Sequence, residues 1–353
     1  MRDKLVLHVL TPDKFTMPMI NYLNKELWEY NQVFLCISKP QNTAICNLPN
    51  VFYLKNPHSK NLFGNTRLVL KYFSKASKIL IHGNPALYYF FIFRFAIKKI
   101  YWIIYGGSDL GTKEANRRGG INIYIKRNVL KKVFGHITHI EGDSQLANEI
   151  FFSKARFFYS PMYLSNVIKT EEYTQSKAHT GTTKILMGNN TDPRNCHSEI
   201  FDMLLPYQAE DIKIYCPLSY GPYEEYKKEV IEKGNAMFSD KFIPVTDFMS
   251  LEAYREFLNS MDLAILNHKT QAGMGVITSL FAMGKIVYSY AGTTAFQSLV
   301  SRGFRIFDID QIKNGNLLKA QEVTDNIELI KKYYSPEALK VSYIQIYETE
   351  TFK

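Results

Sequence analysis

Gln271-Ala272-Gly273-Met274-Gly275 is the strongest chemical signal in the chain. It follows an apolar run, 263–266, that predicts a strand, and precedes an apolar stretch, 276–283, that predicts a helix. Glycines let backbone N–H groups approach an anion closely, and a helix N-terminus adds partial positive charge. The pattern favours a site in which Gly273 and Gly275 hold the diphosphate of a nucleotide sugar. An ordinary strand-to-helix loop is the alternative.

A second polar segment, 188–197, follows the first predicted strand of the second half. Open α/β sheets bind ligands at the carboxyl ends of their strands, and an arginine there is suited to phosphate. The donor-binding residues predicted in this half, besides the two glycines above, are Gly188, Asn189, Asp192 and Arg194, and the family resemblance described below adds Tyr220. The same residue types make turns and caps, so a purely structural loop remains open.

Three residues of the first half have side chains that can take a proton from a hydroxyl group. Asp13, His82 and Asp109 each lie at or just beyond the end of a predicted strand. A carboxylate or an imidazole in such a position can act as a general base. We predict these three as the catalytic residues, with Asp109 or Asp13 as the base. The structural alternatives are a core histidine for His82 and a helix N-cap for Asp109.

Short apolar runs alternate with amphipathic stretches along the whole chain, which predicts parallel sheets with helices on both faces. The alternation stops in a polar stretch and then restarts. We therefore expect an N-terminal acceptor-side domain over 1–165, a linker over 166–182 and a C-terminal nucleotide-sugar-binding domain over 183–353, whose last helix is able to pack back on the first domain. Two doubly wound Rossmann-like domains facing an interdomain cleft are the GT-B architecture of glycosyltransferases, and the fold class is α/β. Some epimerases and periplasmic binding proteins have the same arrangement, so the fold alone does not choose among these functions.

Metal chemistry is not expected. Asp308-Ile309-Asp310 matches the D-x-D pattern of metal-dependent transferases, but it lies late in the chain, and we interpret it as a loop or cap. The Glu pair of many retaining GT-B enzymes is absent near residue 271. We expect no metal and no cofactor.

The net charge of +10 is unevenly spread over the 353 residues. Residues 1–165 contain 23 basic and nine acidic residues, a net charge of +14, and the rest of the chain has −4. A basic half favours an anionic partner, either nucleic acid, anionic lipid or a pyrophosphate-linked substrate. The basic, aromatic stretch 88–102, Arg117-Arg118 and Lys131-Lys132 are typical of peripheral membrane contact; an ordinary solvated surface is the alternative.

The four cysteines form no C-x-x-C pair, and a reducing cytoplasm suits them. No apolar run reaches the ~20 residues that span a bilayer. We therefore expect a peripheral protein at the cytoplasmic face of the inner membrane.

Several of these motifs, in this order and spacing, are similar to one known family. The matching stretches are Leu7-His8-Val9-Leu10 with Asp13, His82-Gly83, Gly107-Ser108-Asp109-Leu110, Gly188-Asn189, Asp192, Asn195, His197, Pro217 with Tyr220, and Gly273-x-Gly275. The chain resembles the TDP-Fuc4NAc:lipid II Fuc4NAc transferases of enterobacterial common antigen synthesis. It departs from them around Pro193-Arg194 and at Asn267-His268-Lys269-Thr270. These departures lie near the predicted donor site, so the identity of the sugar stays open.

The resemblance implies an inverting, metal-independent GT-B glycosyltransferase. Its donor would be a dTDP-sugar such as TDP-Fuc4NAc, and its acceptor a polyprenyl-pyrophosphate-linked glycan of bacterial surface polysaccharide synthesis. The alternatives are a pyruvyl- or sialyltransferase of similar fold and a non-catalytic nucleotide- or glycan-binding protein. No nucleic-acid-binding module is evident, so we expect no nucleic acid partner.

Overall fold

The computed structural model describes residues 3–13, 15–37, 48–54, 62–83, 87–111, 120–169, 181–270, 272–315, 317, 323 and 325–350. Residues 170–180 of the expected linker, Arg117, Arg118 and Gln271 lie outside the described residues. The chain forms two compact units. The first consists of residues 1–167 and 336–353, and the second consists of residues 168–335.

The first unit contains a sheet of seven parallel strands in the order β3-β2-β1-β4-β5-β6-β7. The strands are Val6–Leu10 (β1), Gln32–Cys36 (β2), Val51–Tyr53 (β3), Lys78–His82 (β4), Ile100–Ile103 (β5), Gly135–Thr138 (β6) and Arg156–Tyr159 (β7). The central strands are buried over their whole length, as expected for a parallel sheet covered on both faces.

Helices lie along both faces of this first sheet. They are Thr16–Glu26 (α1), Leu62–Lys75 (α2), Leu87–Ile92 (α3), Gly107–Leu110 (α4), Ile121–Leu130 (α5) and Glu141–Phe151 (α6). A 3-10 helix, Arg94–Lys99, follows α3 in the basic, aromatic stretch 88–102. The core of one face includes Leu339, Tyr343 and Ile346 from the end of the chain, so the last helix is part of the first unit.

The second unit repeats the pattern with six parallel strands in the order β10-β9-β8-β11-β12-β13. The strands are Thr183–Met187 (β8), Ile212–Pro217 (β9), Phe242–Val245 (β10), Leu263–Leu266 (β11), Ile286–Ser289 (β12) and Phe307–Asp308 (β13). The remaining helices are His197–Leu204 (α7), Glu224–Phe238 (α8), Leu251–Asn259 (α9), Met274–Ala282 (α10), Thr294–Ser301 (α11), Asp310–Lys313 (α12), Asp325–Tyr334 (α13) and, in the first unit, Pro336–Glu348 (α14).

Both sheets reverse their strand order at one point, between β1 and β4 in the first unit and between β8 and β11 in the second. The chain leaves the two strands on either side of such a point in opposite directions. A crevice forms at their carboxyl ends, which is where open α/β sheets bind ligands. Each unit therefore has one edge at which a site is expected, and the residues there are considered separately below.

Candidate active site

The second unit places polar residues directly after the two strands at its reversal point. Gly188 and Asn189 follow β8, and Asn267 and His268 follow β11. The register of the sheet holds these strand ends side by side, with Met187 opposite Ile265. The predicted residues Gly188 and Asn189 thus lie next to a pair that the sequence analysis had not selected.

Gly188 and Gly273 both have left-handed backbone conformations, with φ of 67° and 71°. A Cβ atom on Gly188 would lie 2.5 Å from Nε2 of His197. A Cβ atom on Gly273 would lie 3.2 Å from Cε1 of His268 and 3.5 Å from Nδ2 of Asn189. Gly273 therefore lies against Asn189 of the loop that contains Gly188, so the two glycine loops meet, and a side chain at either glycine would crowd its neighbours.

Gly273 immediately precedes α10, and Gly275 is exposed within the first turn of that helix. A Cβ atom on Gly275 would have no heavy atom within 4 Å. The first N–H groups of a helix have no partner within the helix and attract anions. The space over Gly275 therefore leaves this helix N-terminus accessible to a phosphate group.

Three buried polar atoms of the described residues around this edge have no hydrogen-bond partner: Oδ1 of Asn189, Nε2 of His197 and Oδ1 of Asn267. Leaving a buried polar atom unpaired costs about 1–3 kcal/mol, so native proteins keep few of them. Three such atoms near one accessible helix N-terminus mark this edge of the sheet as a candidate ligand site, which we call the polar pocket.

An ion pair between Lys269 and Glu199 lies next to the pocket, and the two histidines there are neutral. Lys269 Nζ lies 2.8 Å from Oε2 of Glu199, and Asn267 Nδ2 donates to the same oxygen at 2.9 Å. These bonds lower the pKa of Glu199. Burial, and to a lesser extent the charge of the neighbouring His268, lowers the pKa of His197 to about 4. Burial, and to a lesser extent the charge of Arg194, also lowers the pKa of His268 to about 4.

The loop after β8 is folded onto itself by Asn195, which is fully buried. Its Oδ1 accepts from the N–H of Asn189 at 3.1 Å, and its Nδ2 donates to Oδ1 of Asn190 at 2.8 Å. Asp192 caps the 3-10 helix Pro193–Asn195 by accepting from the N–H of Arg194. Asn195 thus fixes the backbone next to the pocket.

Arg194 and Asp192 form an ion pair with each other in the structure. The guanidinium donates to both carboxylate oxygens of Asp192, the shortest contact being 2.6 Å. Arg194 is largely exposed, and the hydrogen bonds from it lower the pKa of Asp192. The contact of either side chain with a donor phosphate stays a prediction.

Tyr220 lies in the loop after β9, with an exposed side chain. Its backbone carbonyl accepts from the N–H and from the hydroxyl of Thr191, at 2.9 and 3.2 Å. This carbonyl therefore joins the loop after β9 to the loop after β8. The ring is available for a ligand, and its role in donor binding stays a prediction.

The first unit brings its three predicted catalytic residues to one sheet edge. His82 ends β4, Asp13 lies beyond β1 and Asp109 beyond β5. A Cβ atom on Gly83 would lie 2.7 Å from Cε2 of Tyr105 and 3.5 Å from Oδ1 of Asp109. The charge of Asp13 acts on both His82 and Tyr105, so its carboxylate belongs to the same cluster.

Asp109 lies in the short helix α4, and only 9% of it is exposed. Its Oδ2 accepts from the N–H of Tyr105 at 2.7 Å, and its backbone carbonyl accepts from Nζ of Lys126. Burial raises the pKa of Asp109, against the opposing effects of the Tyr105 hydrogen bond and the Lys126 charge. A carboxylate with a raised pKa is the type of group that a general base requires.

Asp13 is exposed, and its carboxylate caps helix α1. Oδ1 accepts from the N–H groups of Phe15 and Thr16 at 2.8 and 2.7 Å, and Oγ1 of Thr16 accepts from the N–H of Asp13. This reciprocal pair is a capping arrangement. Asp13 therefore has a structural role in addition to the catalytic one predicted for it.

His82 is buried, and both of its ring nitrogens have hydrogen-bond partners. Nε2 lies 2.9 Å from Nδ1 of His8, and Nδ1 lies 2.6 Å from the hydroxyl of Tyr163. Burial lowers the pKa of His82 to about 3, despite the opposing charge of Asp13. The ring is therefore neutral and hydrogen-bonded on both sides, and a catalytic role for His82 stays a prediction.

The sequence analysis missed Asn267, His268, Tyr105 and Tyr163. Asn267 and His268 follow a predicted strand, so the strand-end argument that selected the other residues applies to them too. Tyr105 directly precedes two glycines at a strand end, which is a weaker signal of the same kind. Nothing in the local sequence around Tyr163 indicates a site.

Asp308 and Asp310, the late D-x-D pattern, belong to a cap and an ion pair. Oδ1 of Asp308 accepts from the N–H of Asp310 at 3.3 Å, and Asp310 pairs with Lys313 at 2.8 Å. Within the described ranges, no group of three or more potential metal-binding side chains occurs, and no helix has the length and apolar character to cross a bilayer.

Comparisons with solved structures identify the fold. Anabaena HepE in complex with UDP and glucose aligns at a TM-score of 0.67 and 11% identity, over 98% of this chain and 99% of that one. A glycosyltransferase from Rickettsia africae aligns at 0.69 and 11%, over 99% and 98%. An Escherichia coli structure described as trehalose-6-phosphate bound with UDP-2-fluoro glucose aligns at 0.67 and 10%, over 98% and 99%. The fold is GT-B, as the sequence predicted.

No protein of curated function matches the chain by sequence. A family model, by contrast, matches nearly its whole length, residues 6–340. The GT-B fold, a polar pocket at the sheet edge of the second unit and a carboxylate cluster at that of the first agree with this match. The chain is a glycosyltransferase and belongs to the 4-alpha-L-fucosyltransferase family, glycosyl transferase group 56.

Proposed function

We propose that the protein transfers a deoxyamino sugar from a dTDP-sugar, such as TDP-Fuc4NAc, to a polyprenyl-pyrophosphate-linked glycan in bacterial surface polysaccharide synthesis. The single observation that carries the donor half of this proposal is the polar pocket of the second unit. Asn189 lies near Gly273 at the accessible N-terminus of α10, and Asn189, His197 and Asn267 each have a buried polar atom without a hydrogen-bond partner. The resemblance of the motifs to Fuc4NAc transferases supports the choice of sugar.

The pocket offers what a nucleoside diphosphate requires. The helix N-terminus supplies N–H donors to the diphosphate, and the side chains of Asn189 and Asn267 supply both donors and acceptors to neighbouring groups. Gly188 and Gly273 keep that space open. The solved complexes of HepE with UDP, at the same fold, support a nucleotide-linked donor.

We assign the general base to Asp109, with Asp13 as the alternative. Burial raises the pKa of Asp109, whereas Oδ1 of Asp13 already accepts from the backbone N–H groups of Phe15 and Thr16 at the start of α1. A base removes the proton of the acceptor hydroxyl as that oxygen attacks the anomeric carbon. The donor's phosphate leaves with the C–O bonding electrons. As the family resemblance implies, this is a single displacement with inversion and without a metal ion.

The acceptor and the membrane are expected to contact the basic first unit. Around helices α3 and α5 this unit exposes a set of large apolar side chains: Ile92, Phe95, Ile121, Tyr124 and Phe152. The ring centroids of Phe91 and Tyr124 lie 6.0 Å apart, and the Arg127 guanidinium lies 5.8 Å from the ring centroid of Phe152, so a cation accompanies part of this apolar patch. Exposed apolar side chains among basic residues suit an anionic lipid surface.

A transfer assay with a panel of donors tests the proposal. The full chain is incubated with a polyprenyl-pyrophosphate-linked glycan and, in turn, with TDP-Fuc4NAc, a UDP-sugar, GDP-fucose, CMP-sialic acid and phosphoenolpyruvate. Mass spectrometry of the lipid product is expected to show the added sugar from the dTDP donor, with and without EDTA. Preferential turnover of another donor would refute the proposed sugar, and nucleotide binding without any transfer would refute the proposed reaction.

A further inference from the structure

A chain of six hydrogen-bonded residues runs through the core of the first unit. It joins Gln32, Tyr347, His8, His82, Tyr163 and Tyr105 in that order. Tyr347 comes from the last helix, and its hydroxyl lies 2.6 Å from Nε2 of His8. Every member except Tyr105 is buried, and Tyr105 is partly exposed at the sheet edge beside Asp109.

Gln32 fixes the direction of the hydrogen bonds at the buried end. Its Nε2 donates to the carbonyls of Leu23 and Leu27, at 2.9 and 3.2 Å. Rotating the amide would place its oxygen against those two carbonyls. Oε1 therefore faces Tyr347, whose hydroxyl donates to it at 2.9 Å. A hydroxyl has one hydrogen, so the oxygen of Tyr347 must accept from Nε2 of His8.

The same counting decides each later contact. A neutral histidine has one N–H, so His8 with its hydrogen on Nε2 accepts at Nδ1, and His82 must donate from Nε2. His82 then accepts at Nδ1 from the hydroxyl of Tyr163. Burial lowers the pKa of both histidines, so both rings are neutral. The one hydrogen of Tyr163 is thereby used, and Tyr105 must donate to Tyr163.

The oxygen of Tyr105 is therefore left as a hydrogen-bond acceptor at the edge of the sheet. Its ring stacks on that of Tyr163 at 5.1 Å, and its N–H is held by Asp109. Gly83 allows the ring to lie this close to the end of β4. These contacts fix the position of the Tyr105 oxygen, and the direction of the hydrogen bonds makes it an acceptor. Such an oxygen suits a ligand hydroxyl, which can donate a hydrogen bond to it.

We propose that Tyr105 is a substrate-positioning residue, whose hydroxyl oxygen accepts a hydrogen bond from a sugar hydroxyl of the glycan acceptor, and that Gln32 fixes this polarity through the buried chain. This inference rests on the proposed function, because it requires a glycan acceptor at this edge. The contact selects for a hydroxyl beside the one that Asp109 would deprotonate.

The polarity is tested in the free protein, without any substrate. Long-range ¹H–¹⁵N NMR of the ¹⁵N-histidine-labelled full chain distinguishes the two neutral tautomers and the cation. Signals are assigned with single histidine variants. We expect both His8 and His82 as Nε2–H tautomers at pH 7. The Nδ1–H tautomer or a cation at either ring would overturn the assigned polarity.

The contact with the acceptor is tested with Tyr105→Phe in the transfer assay. Loss of one hydrogen bond to a sugar hydroxyl is expected to raise the acceptor KM about tenfold, with kcat and nucleotide affinity changed less than twofold. Tyr22→Phe is the matched control, because it removes a hydroxyl of the same unit that donates to the carbonyl of Pro336 at 3.0 Å. An unchanged acceptor KM in Tyr105→Phe overturns this inference alone.

Gln32→Met connects the two ends of the chain. It removes the acceptor of the Tyr347 hydroxyl, which is then free to donate to Nε2 of His8 and reverse each later bond. We expect the histidine signals to move toward the Nδ1–H tautomer and the acceptor KM to rise as in Tyr105→Phe. Unchanged tautomers in a folded Gln32→Met would contradict the role of Gln32. Absence of transfer by the wild-type chain refutes the proposed function. The tautomers of His8 and His82 test the direction of the hydrogen bonds independently of that function.

Discussion

Gly275→Ala is expected to stabilise the protein and to weaken its binding of a nucleoside diphosphate. Gly275 lies in the first turn of α10 with a negative φ, and an added Cβ would meet no heavy atom within 4 Å. Replacing a helical glycine by alanine contributes about 0.5–1 kcal/mol to the free energy of unfolding. For a unit of 168–335, that shift raises Tm by about 1–4 °C.

The opposite effect is expected on ligand affinity, because the methyl group would occupy the space over the helix N-terminus. If one charge-assisted hydrogen bond to phosphate is lost, the cost of about 1.5–3 kcal/mol corresponds to a roughly 10- to 100-fold higher Kd. Calorimetric titration of dTDP and a thermal melt of the free protein measure the two quantities on the same sample. Raised stability with an unchanged Kd would refute phosphate binding at this terminus.

Gly188→Ala is the contrasting variant. Its φ of 67° is unfavourable for alanine, and its Cβ would lie 2.5 Å from Nε2 of His197. The backbone strain alone costs about 1–2 kcal/mol. We therefore expect Tm to fall with Gly188→Ala and to rise with Gly275→Ala, although both variants weaken dTDP binding. Equal melting temperatures for the two variants would contradict the loop geometry described above.

Three further results are expected. Asp109→Asn should lower kcat at least about hundredfold and leave the affinity for dTDP unchanged, and full activity would remove Asp109 as the base. Because burial raises the pKa of Asp109 above its unfolded value, the Tm of this variant at pH 7 should not fall. The pKa of His82 is about 3 in the folded protein and 6.5 in the unfolded chain, so the free energy of unfolding falls as the pH drops below 6.5. At pH 5.5 this loss is about 1.4 kcal/mol. In urea titrations, a His82→Asn variant should therefore lose stability less steeply with falling pH. Phe95→Ser with Ile121→Ser should reduce sedimentation with phosphatidylglycerol vesicles and leave dTDP binding intact; undiminished sedimentation would exclude this patch as the membrane contact.

The centre of both sheets was predictable because parallel strands buried on both faces have continuous apolar runs. The predicted strand 263–266 coincides with β11, Leu263–Leu266. The edge strands Val51–Tyr53 and Arg156–Tyr159 were not predicted. They are apolar but only three and four residues long, which is too short to show a period, and they are only partly buried.

The strand-end argument placed Asp13, His82 and Asp109 in one cluster, but it did not predict how each is used. The partners of His82 depend on residues far apart in the chain. His8 and Tyr347 are separated by 339 positions. The sequence allowed the last helix to pack on the first domain, but no local pattern indicates that its Tyr347 reaches His8. Burial and hydrogen bonding, which set the pKa of each group, become visible only when those elements are assembled.

The central claim is that the sheet edge of the second unit holds the donor's diphosphate, and a crystal structure of the full chain with dTDP tests it most directly. We expect the diphosphate over the N-terminus of α10, within hydrogen-bond distance of at least one of Asn189, His197 and Asn267, whose buried atoms would then be paired. Density for dTDP at any other place, with those three atoms still unpaired, would contradict the account.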